Sequence, residues 1–211
     1  TNSPTTATDN GSVNSFAVQS QGTYTGTISV NASGVVSISN AAPVGNHTIT
    51  VRATDNCGAT TDATFTLTVG NNLPTITPAA ALTRQQGSAG SISTIAAVSD
   101  NDTPAGNLLV TATSVPAGIT ISGITNNNGT ITANIAAGCN AVVGANTVVL
   151  TVADANSGMA TANLTVNVTA NTAPTLSYPI SGVALNDATT ITPTTANDNG
   201  SITGYQIVSV T

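Results

Sequence analysis

Polar and apolar residues alternate along residues 45–69, GNHTITVRATDNCGATTDATFTLTV, and again along residues 144–168. Ile49, Val51 and Ala53 fall on one face, with Thr48, Thr50 and Arg52 on the other. After a polar turn at 55–58, Phe65, Leu67 and Val69 alternate with Thr64, Thr66 and Thr68. Successive side chains of a strand point to opposite sides, so this pattern predicts strands with one buried face. Two such runs around Asp, Asn and Gly predict an antiparallel hairpin. In the second copy, offset by 99 residues, Val148, Leu150 and Val152 point inward, 154–158 turns, and Leu164, Val166 and Val168 return. No segment sustains a 3.6-residue period, which leaves β structure throughout.

A second repetition sets the organisation. Residues 3–20 read SPTTATDNGSVNSFAVQS and residues 192–209 read TPTTANDNGSITGYQIVS, an offset of 189 with nine of eighteen positions identical. Two related units, A and B, therefore alternate along the chain. The expected divisions are 1–70, a type A domain without its opening strands; 71–170, a complete type B domain; and 171–211, the opening strands of the next type A domain. Shorter strands are expected at 27–30 and 35–39 around a turn at 31–34, at 119–121 and 130–135 around 126–129, and at 91–98 and 108–113. About seven short strands per unit, with a turn every 8–12 residues, predict an all-β chain of Greek-key sandwiches in a linear array.

Composition excludes several functions. The chain has no lysine and no glutamate; its charges are eight aspartates, Arg52 and Arg84, for a net charge of −6. Nothing here neutralises a row of phosphates, so no nucleic-acid partner is expected. Without lysine, no Lys–Asn isopeptide crosslink can form. No run of 18 apolar residues occurs, so no helical membrane span is expected. General acid–base chemistry has almost no candidates, and the chain is not expected to be an enzyme. The one histidine, His47, stands where the B unit has Asn146 and reads as a solvated strand residue. Disorder is excluded by the regular alternation of Val and Ile.

The phrases ITVRATDNCGATTDATFTLTV and LTVADANSGMATANLTVNV resemble the last two strands of the tandem immunoglobulin-like, cadherin-like repeats of large prokaryotic surface and extracellular filament proteins. The resemblance implies immunoglobulin-like sandwiches and an extracellular or cell-surface location. The chain departs from true immunoglobulin domains in having no tryptophan and no cysteine pair within a unit. In such a sandwich Cys57, in the last hairpin turn, faces the preceding domain, whereas Cys139, in the loop before the penultimate strand, faces the following one. The two lie about two domain lengths apart, beyond disulfide reach. Each is therefore expected to bond to a neighbouring repeat and not to the other, in an oxidising setting.

Aspartates also fall in loops at the pole where the chain enters each domain: Asp9, Asp100 and Asp102 in one loop type, Asp55 and Asp154 in the final hairpin turns. Oxygen-rich loops at a junction make these residues calcium candidates, with no cofactor required for the fold. Asp-Asn and Asn-Gly are also ordinary turn formers. The function expected is structural, a segment of a stalk, adhesin shaft or filament whose partners are neighbouring copies of the same repeats, end to end and side by side. The alternative is an adhesive module that recognises carbohydrate or another surface through Thr/Asn faces such as Thr64, Thr66 and Thr68, or through pole loops. Exchange of residues 171–211 between chains is a second way to build a polymer. Against it, 190–211 and 1–22 would compete for the same strands, whereas a continuous chain avoids that conflict.

Overall fold

A computed structural model describes residues 11–198 and 200–209. By contact density the chain divides into two compact units, Thr1–Asn71 and Asn72–Thr211. The first unit contains β1 (Val13–Ser20), β2 (Thr27–Val30), β3 (Val36–Ser39), β4 (Gly45–Asp55) and β5 (Thr60–Val69). The second contains β6 (Thr75–Pro78), β7 (Leu82–Gln85), β8 (Ser91–Ser99), a 3-10 turn (Ala105–Asn107), β9 (Leu109–Ser114), β10 (Ile119–Asn127), β11 (Thr130–Ala137), β12 (Gly144–Ala153) and β13 (Met159–Thr169). Two short strands follow, β14 (Thr175–Ser177) and β15 (Thr195–Asn197). The segment 171–211, expected to open a third domain, is grouped with the second unit.

The second unit is a sandwich of two four-stranded sheets, ordered β10-β11-β8-β6 and β7-β13-β12-β9. That is the immunoglobulin arrangement, with the first strand split so that β6 joins one sheet and β7 runs parallel to the last strand in the other. The alternation predicted from sequence fills the space between the sheets. Val148, Leu150 and Val152 of β12 and Leu164, Val166 and Val168 of β13 meet Ile95, Ile131 and Ile135 from the opposite sheet. Val, Ile and Ala dominate this core, and β-branched side chains suit pleated faces.

Arg84 on β7 ties the two sheets together. Its Nε donates to the Ile135 carbonyl at 2.9 Å, and Nη2 donates to Ser93 Oγ at 2.6 Å and the Ser91 carbonyl at 3.2 Å. β10 runs past the expected end at residue 121 to Asn127, because its ladder with β11 shifts register between Ser122 and Thr125. Gly123, at φ 60°, supplies the left-handed backbone there and lets the strand resume.

In the first unit β1, β4 and β5 form one sheet and β2 and β3 a two-stranded ladder. Its core is smaller: Tyr24, Ile49 and Val69, with Ile28, Ile38, Phe65 and Leu67 against them. Tyr24 Oη donates to the Ser39 carbonyl at 3.0 Å, which satisfies the one polar atom of a buried ring.

Candidate functional site

Where the chain enters the second unit, the loop after β8 holds it. Asp102 Oδ2 accepts the backbone N–H of Asn72 at 2.9 Å and its side-chain amide at 3.4 Å. Asp100 Oδ1 accepts the N–H of Asn101 at 2.7 Å, while its Oδ2 is buried without a partner. Asp198, in the equivalent loop of the later segment, also has one buried carboxylate oxygen, Oδ1, without a partner. Asp55 and Asp154 shape the two final hairpin turns. Asp55 Oδ1 accepts the N–H of Cys57 and of Ala59, both at 2.8 Å. Asp154 Oδ1 accepts Asn156 N–H at 2.8 Å and Gly158 N–H at 2.7 Å. Asp9 lies outside the described residues.

Among the described residues no three His, Cys, Asp or Glu side chains gather to hold a metal ion. Calcium takes six to eight oxygens, whereas these carboxylates are largely taken up by their own turns and by Asn72.

The opposite pole of the second unit binds the departing chain. Gln86 Nε2 donates to the Ala141 carbonyl at 2.6 Å, and its Oε1 accepts the N–H of Asn171 at 3.1 Å. Gln85 Nε2 donates to the Ala170 carbonyl and to Thr172 Oγ1, each at 3.2 Å. Cys139 belongs to this pole, in the loop between β11 and β12. Its sulfur is close to Gly87: a Cβ built there would lie 3.3 Å from Sγ. Cys57 lies in the β4–β5 turn of the first unit, and both thiols are free and exposed. Reading residue types for chemistry overlooked Gln85 and Gln86. The available signal was the run Arg84-Gln85-Gln86, three consecutive long polar side chains in a chain of short ones.

His47 is not solvated; it is 2% exposed. Its Nε2 lies 2.8 Å from the Pro43 carbonyl and its Nδ1 lies 2.8 Å from Thr23 Oγ1. Tyr24 packs edge-on against the ring at 5.6 Å between centroids. Its repeat equivalent Asn146 is buried too and bonds the carbonyl four residues back, Val142, at 2.8 Å. His47 shares the inward phase of Ile49, so alternation overrode the polarity of the side chain.

On the outer face, Arg52 and Asp62 face each other across β4 and β5 in a two-pronged pair at 2.7 and 2.8 Å. The hydrogen bond to Arg52 holds the Asp62 carboxyl below the usual carboxylate range. Thr64, Thr66 and Thr68 of β5 are exposed, and Thr68 donates to Asn46 Oδ1 at 2.8 Å.

Among the described residues the first unit has fewer paired strands than the second. In the second unit β13 carries β7, and β11 carries β8. The equivalent strands β5 and β3 carry no further strand among the described residues. Phe65 and Leu67 are consequently half-buried where Leu164 and Val166 are fully buried, and Val51 and Ala53 where Leu150 and Val152 are.

No family model matches the sequence, and a search of curated proteins finds no relative. Solved structures do resemble it. Protocadherin gamma B2 extracellular cadherin domains 3–6 match at 12% identity and a TM-score of 0.38, over 88% of this chain and 48% of that one. Drosophila N-cadherin EC1–4 matches at 16% identity and a TM-score of 0.36, over 79% and 44%. An endo-fucoidan hydrolase from glycoside hydrolase family 107 matches at 20% identity and a TM-score of 0.38, over 75% and 24%. The chain thus spans less than half of each of these three.

Proposed function

We propose that this chain is a structural segment of a long extracellular or cell-surface protein of prokaryotic type, in which A and B sandwiches alternate to build a stalk, shaft or filament. The observation that carries this reading is the grip on the connecting chain at both poles of the second unit. Asn72 is held by Asp102 on one side, and Asn171 by Gln86 on the other. Connections held by hydrogen bonds to folded loops restrict how one repeat can swing against the next. Few charges and many threonines favour close lateral packing of such repeats, since little repulsion opposes it. The role is mechanical rather than catalytic, in keeping with the near absence of acid–base residue types.

Antibodies against the second unit provide the test. Labelling of intact, unpermeabilised cells along extended surface structures is the expected result, and label that appears only after permeabilisation sinks the proposal. The adhesive reading draws on the exposed threonines of β5. Its distinguishing result is saturable binding on a glycan array by a two-domain fragment that loses binding when Thr64 and Thr66 become valine.

A further inference from the structure

The triplet Asn-x-Ser/Thr is the acceptor signal for attaching a glycan to asparagine. Among the described residues it occurs at Asn31, Asn46, Asn101, Asn128, Asn163 and Asn167. The fold separates these six. Attachment to a folded chain needs a protruding carboxamide nitrogen, an accessible hydroxyl two residues on, and backbone outside a ladder that an enzyme would have to open. Asn163 and Asn167 lie within the ladders of β13, which sits between β7 and β12. Asn46 lies on β4, the middle strand of its sheet; its Oδ1 is bonded to Thr68, and His47 beside it is buried. At Asn101 the hydroxyl to be read is that of Thr103, only 6% exposed, and the intervening Asp102 holds Asn72.

Asn31 and Asn128 stand apart from these. Each lies in the turn of the hairpin that precedes its unit's final hairpin, Asn31 between β2 and β3 and Asn128 between β10 and β11. Both are exposed, and so are Ser33 and Thr130, which carry the hydroxyls. Asn31 Oδ1 accepts the N–H of Ser33 and of Val35, both at 2.9 Å. These bonds fix the oxygen toward the turn, and hydrogen bonds to the amide oxygen favour loss of the Nδ2 proton. Asn128 and Gly129, at φ 48° and 94°, form the tip of the β10–β11 hairpin. Asn128 Oδ1 lies over Gly106, where an added Cβ would meet it at 3.8 Å. Asn126 braces this tip from beneath. Its Oδ1 accepts the N–H of Gly129, and its Nδ2 donates to the Ala105 and Leu108 carbonyls, all at 2.8 Å. Asn126 is thus committed to the fold, whereas Asn128 offers its carboxamide outward.

We propose that Asn31 and Asn128 are N-glycosylation sites, one in each unit, modified on the folded chain. The inference deepens the extracellular reading and rests on it for access to the glycan donor. In the reaction, Nδ2 attacks C1 of the first sugar of an oligosaccharide carried on a polyprenyl diphosphate. The N–C1 bond forms, the C1–O bond breaks, the diphosphate leaves with the electron pair, and the amide nitrogen gives up one proton. Glycans at these turns stand at strand ends, so the threonine-rich sheet faces stay bare for side-by-side packing. They also add hydration to a chain in which only 5% of residues are charged.

The test exposes the purified, folded chain to a single-subunit oligosaccharyltransferase that reads Asn-x-Ser/Thr, with a polyprenyl diphosphate-linked oligosaccharide as donor. Trypsin can cut only after Arg52 and Arg84, so residues 1–52 and 85–211 carry the two sites on separate peptides, and fragmentation locates each glycan. Glycan is expected on Asn31 and Asn128, with Asn46, Asn101, Asn163 and Asn167 left bare. Thr130→Ala should abolish modification of Asn128 although its carboxamide remains, and Thr130→Ser should keep it, with thermal melting to check that both variants stay folded. Two results overturn the proposal: modification of the strand asparagines to the same extent as the turn asparagines, or both turns left bare while the enzyme modifies a control acceptor peptide. Surface labelling of cells stands whichever result is obtained, so this failure is distinguishable from failure of the array reading.

Discussion

His47 holds its place through two hydrogen bonds that fix its chemistry. A carbonyl can only accept, so Nε2 carries the proton and donates to Pro43, leaving Nδ1 to accept from the Thr23 hydroxyl. His47→Ala removes both bonds and leaves a cavity beside Tyr24, with an expected loss of about 2–4 kcal/mol in the stability of the first unit, measured by urea unfolding. His47→Asn should retain much more, because Asn146 fills the same position in the second unit. The Arg52–Asp62 pair makes a different prediction. Its hydrogen bond lowers the Asp62 pKa, so the stabilisation is present above the ordinary carboxylate range and fades as pH falls through the lowered value. Carboxyl NMR should find Asp62 titrating at lower pH than its pKa in Arg52→Ala, and the effect on stability should be small because the pair is exposed. The inward position of His47 was legible in its phase with Ile49; only its polarity pointed the other way.

Among the elements, β7 is short yet links the two sheets. It pairs with β13, and its Arg84 reaches strands of the other sheet. Arg84→Ala should cost the second unit about 2 kcal/mol, because the part-buried Ile135 carbonyl and Ser93 hydroxyl lose a charged donor together. Thermal unfolding of the variant measures it, and an unchanged melting point would refute the strap. Strands with strict alternation, such as β12 and β13, were fully legible in sequence. Less legible were β7, too short to alternate, and the far half of β10, where the register shift around Gly123 breaks the period that identifies a strand. The split of the opening strand between two sheets has no local signature, since it depends on which partners the fold brings alongside.

For the whole molecule, unequal cores imply unequal stability. Calorimetry should resolve two transitions, the first unit melting before the second, with amide exchange fastest along β3 and β5. Chelator should leave both transitions where they are, since Asp55 and Asp102 already accept backbone amides. The A–B plan rests on repetition in the sequence, which needs no structure to detect.

The parallel pairing of β7 with β13 has one more consequence. The chain enters the eight-stranded sandwich just before β6 and β7 and leaves it just after β13. Parallel neighbours place the start of one strand and the end of the other at opposite ends of their ladder. A force drawing the two termini apart therefore loads this ladder in shear. Its hydrogen bonds must fail together, whereas the antiparallel β12–β13 hairpin would peel open one bond at a time. A pairing of only four residues is thus the one set across the line of load.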